Sequence, residues 1–114
     1  MNDKILSLLS LATKAGKVTG GEDSVEKAVK GKKASLVIIS SEASENTRKK
    51  FRNMCSYYKV PFYIYGTKED LGHFTGKEFR ASVAILGREF YDSFVKIFTN
   101  MEVTEWEYMN LQKK

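Results

Sequence analysis

The seven-residue run "ASLVIIS", from Ala34 to Ser40, constrains the fold of this chain more than any other segment. It is continuously aliphatic and β-branched, and it lacks the alternation of apolar and polar residues that is typical of a strand with one face in water. We therefore expect a strand that is covered on both faces and lies centrally in a sheet. The later run "RASVAILG" predicts a final buried strand of the same kind.

Helix patterns alternate with strand patterns along the rest of the chain. The short segments "KVTGG" and "VPFYIYG" favour extended structure, the second because Pro61 is tolerated at the start of a strand. Helices are predicted over the N-terminal segment that ends before Gly16, over Glu22 to Lys30, from the cap Ser44 through "ENTRKKFRNMCSYY", over "TKEDLGHF" and over "REFYDSFVKIFTNM". This order predicts a three-layer α/β/α sandwich with a mixed, mostly parallel central sheet of about four strands.

The length of 114 residues suits one domain, which we place at residues 1–100, followed by a C-terminal tail at 101–114 that is docked or mobile. Cys55 has no second cysteine with which to form an internal disulfide, and no apolar run approaches the roughly 20 residues that span a bilayer. We therefore expect a cytoplasmic protein with no membrane partner. The 19 Lys and Arg against 14 Asp and Glu give a formal charge of +5, which attracts polyanions but also serves solubility.

Motifs for catalysis and metal binding do not assemble in this sequence. Gly16 and Gly21 have the glycine spacing of a phosphate-binding loop, but Glu22 and Asp23 stand where its lysine and hydroxyl residue belong. His73 is the only histidine, so a metal cluster of the usual His and Cys type is excluded. We predict neither an enzyme nor a cofactor. His73 is expected in solvent or at a helix end, and Cys55 in the core.

The stretch "VTGGEDSVEKAVKGKK" admits two interpretations. It is consistent with a well-capped surface helix, in which Gly20 and Gly21 make a tight turn and acidic and basic residues complement the two ends of the helix dipole. It is also consistent with a glycine turn that a ligand approaches closely, beside a helix that carries a lysine. The residues alone leave both interpretations open.

Three segments together resemble a known family. They are "LLSLATKAGKVTGGEDSVEKAVKGKKASLVIISSEASENTRKKF", "CSYYKVPFYIYGTKEDLGHFTG" and "ASVAIL", and they cover roughly Lys4 to Phe98. In this order they resemble the superfamily of ribosomal proteins L7Ae and L30e of the large subunit, and most closely its bacterial YlxQ-like branch. The resemblance implies the same sandwich fold and a protein that binds RNA, often a kinked stem with sheared G·A pairs, and that is not an enzyme.

The kink-turn motif of that superfamily can be followed residue by residue. It consists of a Gly, a variable residue, Asn-Glu, two more residues and a Lys, and the chain matches it at Gly21 and Lys27. It departs at Asp23, which only accepts hydrogen bonds when ionised, and at Ser24, which is too short to reach a guanine edge as Glu does. What the resemblance implies is therefore RNA binding at the glycine turn and Lys27. The basic residues around this site are Lys14, Lys17, Lys30, Lys32 and Lys33.

A second surface implied by the resemblance is the loop "TGKEFR", which in RNA-binding members lies beside the first and contacts an unstacked nucleotide. Phe79 then offers a stacking face, and Lys77 and Arg80 offer phosphate contacts. In the alternative interpretation, Phe79 enters the core ahead of Ala81. The basic helix run Arg48, Lys49, Lys50 and Arg52 is interpreted as a solvated face.

The resulting hypothesis is an RNA-binding protein of ribosomal-protein type, whose partners are ribosomal or other structured RNA and, through it, the ribosome or other translation components. A protein-interaction module of the same fold is the alternative, because acids occupy motif positions and the tail carries Trp106. The predicted site comprises Lys17, Gly20, Gly21, Asp23, Ser24, Lys27, Lys30, Lys77, Phe79 and Arg80.

Overall fold

The computed structural model describes residues 3–101 of the chain. In chain order its elements are α1 (Lys4–Lys14), β1 (Val18–Gly20), α2 (Glu22–Lys30), β2 (Ala34–Ile39), α3 (Glu45–Tyr58), β3 (Phe62–Ile64), α4 (Lys68–His73), β4 (Ser82–Leu86) and α5 (Tyr91–Thr99). Each predicted helix and strand is present with the expected type. The predicted tail lies outside the described residues from position 102 onward.

The four strands form one mixed sheet in the order β1-β4-β2-β3. β2 and β3 are parallel, whereas β4 runs antiparallel to both β1 and β2. The mixed four-stranded sheet is confirmed, but the expected parallel majority is wrong, since two of its three pairings are antiparallel. The reason lies between β3 and β4: the Arg80 N–H donates to the Lys68 carbonyl at 3.0 Å, so the chain returns to the start of α4. β4 therefore begins at the end of the sheet where β3 finishes.

β2 is buried along its whole length, as its apolar run predicts. Leu36 and Ile38 belong to a core on one face, built with α1, α4 and α5. Val37 and Ile39 belong to a second core on the other face, built with α2 and α3. Because successive side chains of a strand point to opposite faces, a strand inside three layers has no polar side, and the three-layer fold is confirmed.

The aromatic residues of α5 pack into the first core, with Phe94 and Phe98 fully buried. The rings of Phe98 and Tyr63 are stacked with their centroids 3.9 Å apart. Cys55 is buried in the second core, and His73 is exposed at the end of α4, so both predictions are confirmed. No helix within residues 3–101 has the length and apolarity needed to cross a membrane.

Candidate nucleic-acid interface

The glycine turn joins β1 to α2. Gly20 is the last residue of β1, and Gly21 is the N-cap of α2 with a φ of 95°, in the left-handed region that favours glycine. The Gly21 N–H donates to the Ser82 carbonyl at 3.0 Å, and the Gly21 carbonyl accepts from the Val25 N–H at 2.9 Å. The turn is thus held by β4 on one side and by α2 on the other. Gly21 supplies no side chain to cap the first N–H groups of α2.

The Arg80 side chain lies directly against this turn. A Cβ atom on Gly20 would stand 2.8 Å from Arg80 Nε, and one on Gly21 would stand 2.8 Å from Arg80 Nη1. A side chain at either glycine would therefore displace the Arg80 guanidinium, which occupies the space that sequence reasoning reserved for a ligand. Arg80 Nε is buried and has no hydrogen-bond partner among the described residues. Since a buried donor without an acceptor is costly, the guanidinium is poised to gain an anion.

The loop between α4 and β4 packs tightly against α4. A Cβ atom on Gly72 would lie 2.6 Å from the carbonyl carbon and oxygen of Glu78 and from the backbone nitrogen of Phe79. The Lys77 N–H donates to the Gly72 carbonyl at 2.8 Å, and the Thr75 hydroxyl donates to the Leu71 carbonyl at 2.7 Å. This close packing fixes the loop that carries Phe79 and Arg80.

Phe79 and Lys77 of this loop face outward. Phe79 is 65% exposed, so the alternative in which its ring enters the core is wrong. Lys77 is exposed as well. A large exposed aromatic beside a cation is the arrangement that stacks on an unpaired base while neutralising its phosphate.

Three of the predicted residues of α2 lie on its surface within the first two turns. Asp23, Ser24 and Lys27 are all exposed, and among the described residues none of their side chains has a hydrogen-bond or ion-pair partner. Lys27 borders two shallow surface grooves, one shared with Asp23 and the other with Ser24. Its ammonium group is therefore available to an incoming ligand.

Lys50 of α3 neutralises part of the acidic start of α2. Its Nζ lies 2.8 Å from Glu22 Oε2 and 2.8 Å from Glu26 Oε1. Hydrogen bonds from Lys30 and then Lys50 lower the pKa of Glu26 to about 2. Hydrogen bonds to Glu22 and Glu26 raise the pKa of Lys50 in turn. Lys50 keeps 37% of its side chain exposed in these ion pairs, so the helix run remains a solvated face, but this one lysine is engaged with α2.

Two predicted cations lie away from the glycine turn. Lys17 precedes β1, about 13 Å from Gly21 along an extended strand, and its Nζ is 3.1 Å from Glu89 Oε2. Lys30 ends α2, about 12 Å along the helix axis from its first residue, and its Nζ is 2.7 Å from Glu26 Oε2. The structure thus gathers the glycines and Arg80, with Asp23, Ser24 and Lys27 on the adjoining helix and Lys77 and Phe79 on the adjoining loop. It separates Lys17 from them, whereas Lys30 lies farther along α2 in the groove that Asp23 and Lys27 line.

Sequence reasoning missed the contact of Arg80 with the glycines and the pairing of Lys50. Neither contact had a signal in the sequence, since local spacing does not reveal which side chains pack against the glycine turn or against α2. Within residues 3–101, no group of three His, Cys, Asp or Glu side chains is placed to hold a metal ion.

Comparisons with known proteins give a consistent result. A family model described as the ribosomal protein L7Ae/L30e/S12e/Gadd45 family matches residues 3–94. The RNA-binding protein YlxQ of Bacillus subtilis (strain 168) is 40% identical over 90 residues, which cover 79% of this chain and 90% of that protein. A solved structure of a protein of unknown function from Bacillus halodurans C superimposes with a TM-score of 0.83 at 33% identity, covering 87% of this chain and 100% of that one. The 15.5 kDa RNA-binding protein of Giardia lamblia shares the fold, with a TM-score of 0.74 at 20% identity and coverage of 96% and 92%.

Proposed function

The chain belongs to the ribosomal protein L7Ae/L30e/S12e/Gadd45 family, and from that membership we propose that it binds RNA. The family is one of RNA-binding proteins and not of enzymes. The observation that carries the proposal is the 40% identity with the RNA-binding protein YlxQ of Bacillus subtilis over 90% of that protein. Ribosomal or other structured RNA is the proposed ligand, and the ribosome is the proposed place of action.

The proposed contact surface consists of the glycine turn, the adjoining helix α2 and the loop between α4 and β4. Lys27 on α2 and Arg80 beside the turn supply cations to phosphate or to a guanine acceptor, and the Phe79 ring supplies a stacking face. The geometry supports this proposal because Lys27 has no acidic partner among the described residues, Arg80 Nε lacks an acceptor, and Phe79 is exposed. A phosphodiester next to the turn would satisfy the Arg80 guanidinium and approach the uncapped N–H groups of α2.

We expect weak discrimination between a standard kink-turn and a stem without its G·A pairs. Asp23 and Ser24 are exposed at the two motif positions, but an ionised Asp donates no hydrogen bond and the Ser side chain is short. The difference in binding free energy between the two RNAs should be smaller than the roughly 1 to 3 kcal/mol of one good bidentate base contact. A strong preference for the intact kink-turn, measured by titration of both RNAs, would contradict this interpretation.

The proposal is tested by titrating the whole protein with a structured RNA at several salt concentrations. Phosphate contacts release counterions, so affinity should fall steeply as salt rises, with a slope of about 0.9 per neutralised phosphate in a duplex. Lys27→Ala should weaken binding at least several-fold and leave the fold intact, because surface changes usually alter stability by less than about 0.5 kcal/mol.

Lys49→Ala is the matched control, because Lys49 is exposed on α3 and carries the same charge. Equal losses in both variants would show that only net charge matters. Undiminished binding by the Lys27 variant would remove α2 from the site. Absence of salt-dependent RNA binding by the wild-type protein would favour the protein-interaction module of the same fold.

A further inference from the structure

A second cationic groove lies at the other end of the sheet. It is lined by three cations, Lys32, Lys59 and Arg88, together with the rings of Tyr58 and Tyr91, and no Asp or Glu is among the described residues that line it. Nothing in the proposed RNA contact at the glycine turn uses these side chains. We call this feature the Lys59 groove.

The Lys59 groove is separated from the glycine turn by the length of the central strand. Ala34, which lines the groove, pairs with Leu86 at the start of β2, whereas Ile39 at the end of β2 pairs with Ser82, the residue that binds Gly21. A strand of six residues spans about 17 Å. The groove and the turn are therefore separate surfaces at opposite ends of the sheet.

The backbone sets two of the three cations apart from ordinary surface lysines. Lys32 and Lys59 both have a φ of 60°, and within residues 3–101 they are the only residues other than glycine with a positive φ. Glycine adopts this conformation without steric cost, whereas lysine is strained in it. Both lysines occupy left-handed turns that end helices, in which the Lys33 N–H donates to the Ala28 carbonyl and the Val60 N–H donates to the Cys55 carbonyl. The two helix ends thus bring both lysines to the same groove.

Helix dipoles do not account for the position of Arg88, the third cation of the groove. Lys32 and Lys59 follow the C-terminal ends of α2 and α3, where positive charge is favourable. Arg88 lies just before α5, at the end of a helix where positive charge is unfavourable. Its guanidinium carbon is 4.0 Å from the centroid of the Tyr91 ring. The neighbouring acid Glu89 is paired with Lys17 and does not line the groove.

We infer that the Lys59 groove binds the phosphodiester backbone of a second RNA segment, so that the protein contacts RNA at both ends of its sheet. Arg88 offers planar donors that match a phosphate, the two lysines add point charges, and Tyr58 and Tyr91 present aromatic groups to a nucleotide. The absence of a lining carboxylate among the described residues leaves the charge of the groove uncompensated. This inference rests on the proposed RNA binding at the glycine turn.

The test compares two triple variants of the full chain. Lys32→Gly, Lys59→Gly and Arg88→Gln together empty the groove of charge, and glycine suits the backbone at both lysine positions. Lys4→Gln, Lys49→Gln and Lys96→Gln remove three exposed charges elsewhere on α1, α3 and α5. The probe is an RNA of about 40 nucleotides with one stem-loop and a single-stranded flank, titrated at several salt concentrations. Circular dichroism checks that both variants are folded.

The groove variant should lose about 2 from the slope of log affinity against log salt, since each lost phosphate contact removes about 0.7 to 0.9. The control variant should lose clearly less. Trimming the flank to leave the stem-loop alone should abolish the difference between the two variants. Equal slopes in both variants, with Lys27→Ala still weakening binding, would overturn the proposal that the groove binds RNA and leave the glycine-turn proposal intact. Binding of inorganic phosphate in the groove without any change in the RNA salt slope would also overturn it.

Discussion

Replacing Gly72 with alanine should displace the loop that carries Phe79 and Arg80. Gly72 is buried inside α4, where a methyl group would meet backbone atoms of Glu78 and Phe79 at 2.6 Å. The loop has to retreat by about 0.8 Å to reach the 3.4 Å at which such a contact becomes ordinary. The obstructing atoms belong to the main chain, so no rotation of a side chain relieves the overlap.

Two opposing effects determine the change in stability. Alanine is the better helix former by up to about 1 kcal/mol, whereas overpacking a tight site costs about 1 to 3 kcal/mol. Because main-chain atoms are the obstacle, we place the steric cost in its upper half and expect a net destabilisation of about 1 to 2 kcal/mol. For a domain of this size the Tm should fall by about 4 to 16 °C.

Thermal unfolding followed by circular dichroism measures the stability, and RNA titration measures the consequence for binding. Asn53→Ala is the control, because Asn53 is exposed within α3 and reports the gain in helix propensity alone. A Gly72→Ala protein with a Tm at or above that of the wild type would refute the steric argument. A lowered Tm with unchanged RNA affinity at a temperature where the variant is folded would show that the loop position does not matter for binding.

Three further outcomes are expected. Lys50→Gln should weaken RNA binding several-fold, because it leaves the negative charges of Glu22 and Glu26 without their cationic partner. Adding Glu22→Gln and Glu26→Gln should restore binding. If titration finds no restoration, neutralisation of these two acids by Lys50 does not matter for RNA binding. The depressed pKa of Glu26, about 2 against an ordinary 4.5, means that its ion pairs contribute stability fully above pH 4.5 and lose it as pH falls towards 2. The Tm values of the wild type and Lys50→Gln should therefore converge as pH falls through that window, and a constant gap would contradict the assignment. Asp23→Asn with Ser24→Glu should increase the preference for an intact kink-turn by up to about 1 to 3 kcal/mol, measured by paired titrations, and an unchanged preference would show that these positions do not face the RNA.

The sequence predicted the layers of this fold because periodicity records burial. The unbroken apolar run of β2 has a single structural explanation, which is cover on both faces, and Leu36 and Val37 indeed enter different cores. Strand direction, in contrast, could not be predicted from periodicity. The alternation of helices and strands favoured parallel crossovers, but β4 is reversed by the return of the loop to Lys68, a contact between residues that no local pattern connects.

The candidate site was predictable where a residue's role depends on its neighbours along the chain. The turn at Gly21 and the exposure of Lys27 follow from the local pattern of β1 and α2. The positions of Lys50 and Arg80 depend on which elements pack together, so their contacts with α2 and the glycines became visible only in three dimensions.

The sheet order has a consequence for how this protein is made. The first strand pairs with the last, with Val18 opposite Ile85, and α1 packs beside α5 in the first core. A nascent chain therefore cannot bury Ile5 or Leu9 in native surroundings until Phe98 has been synthesised. Long-range pairing of this kind delays the folding nucleus, and the unfinished chain exposes apolar surface in the meantime. Protection of α1 from proteolysis on stalled ribosomes should accordingly begin only after α5 has left the exit tunnel.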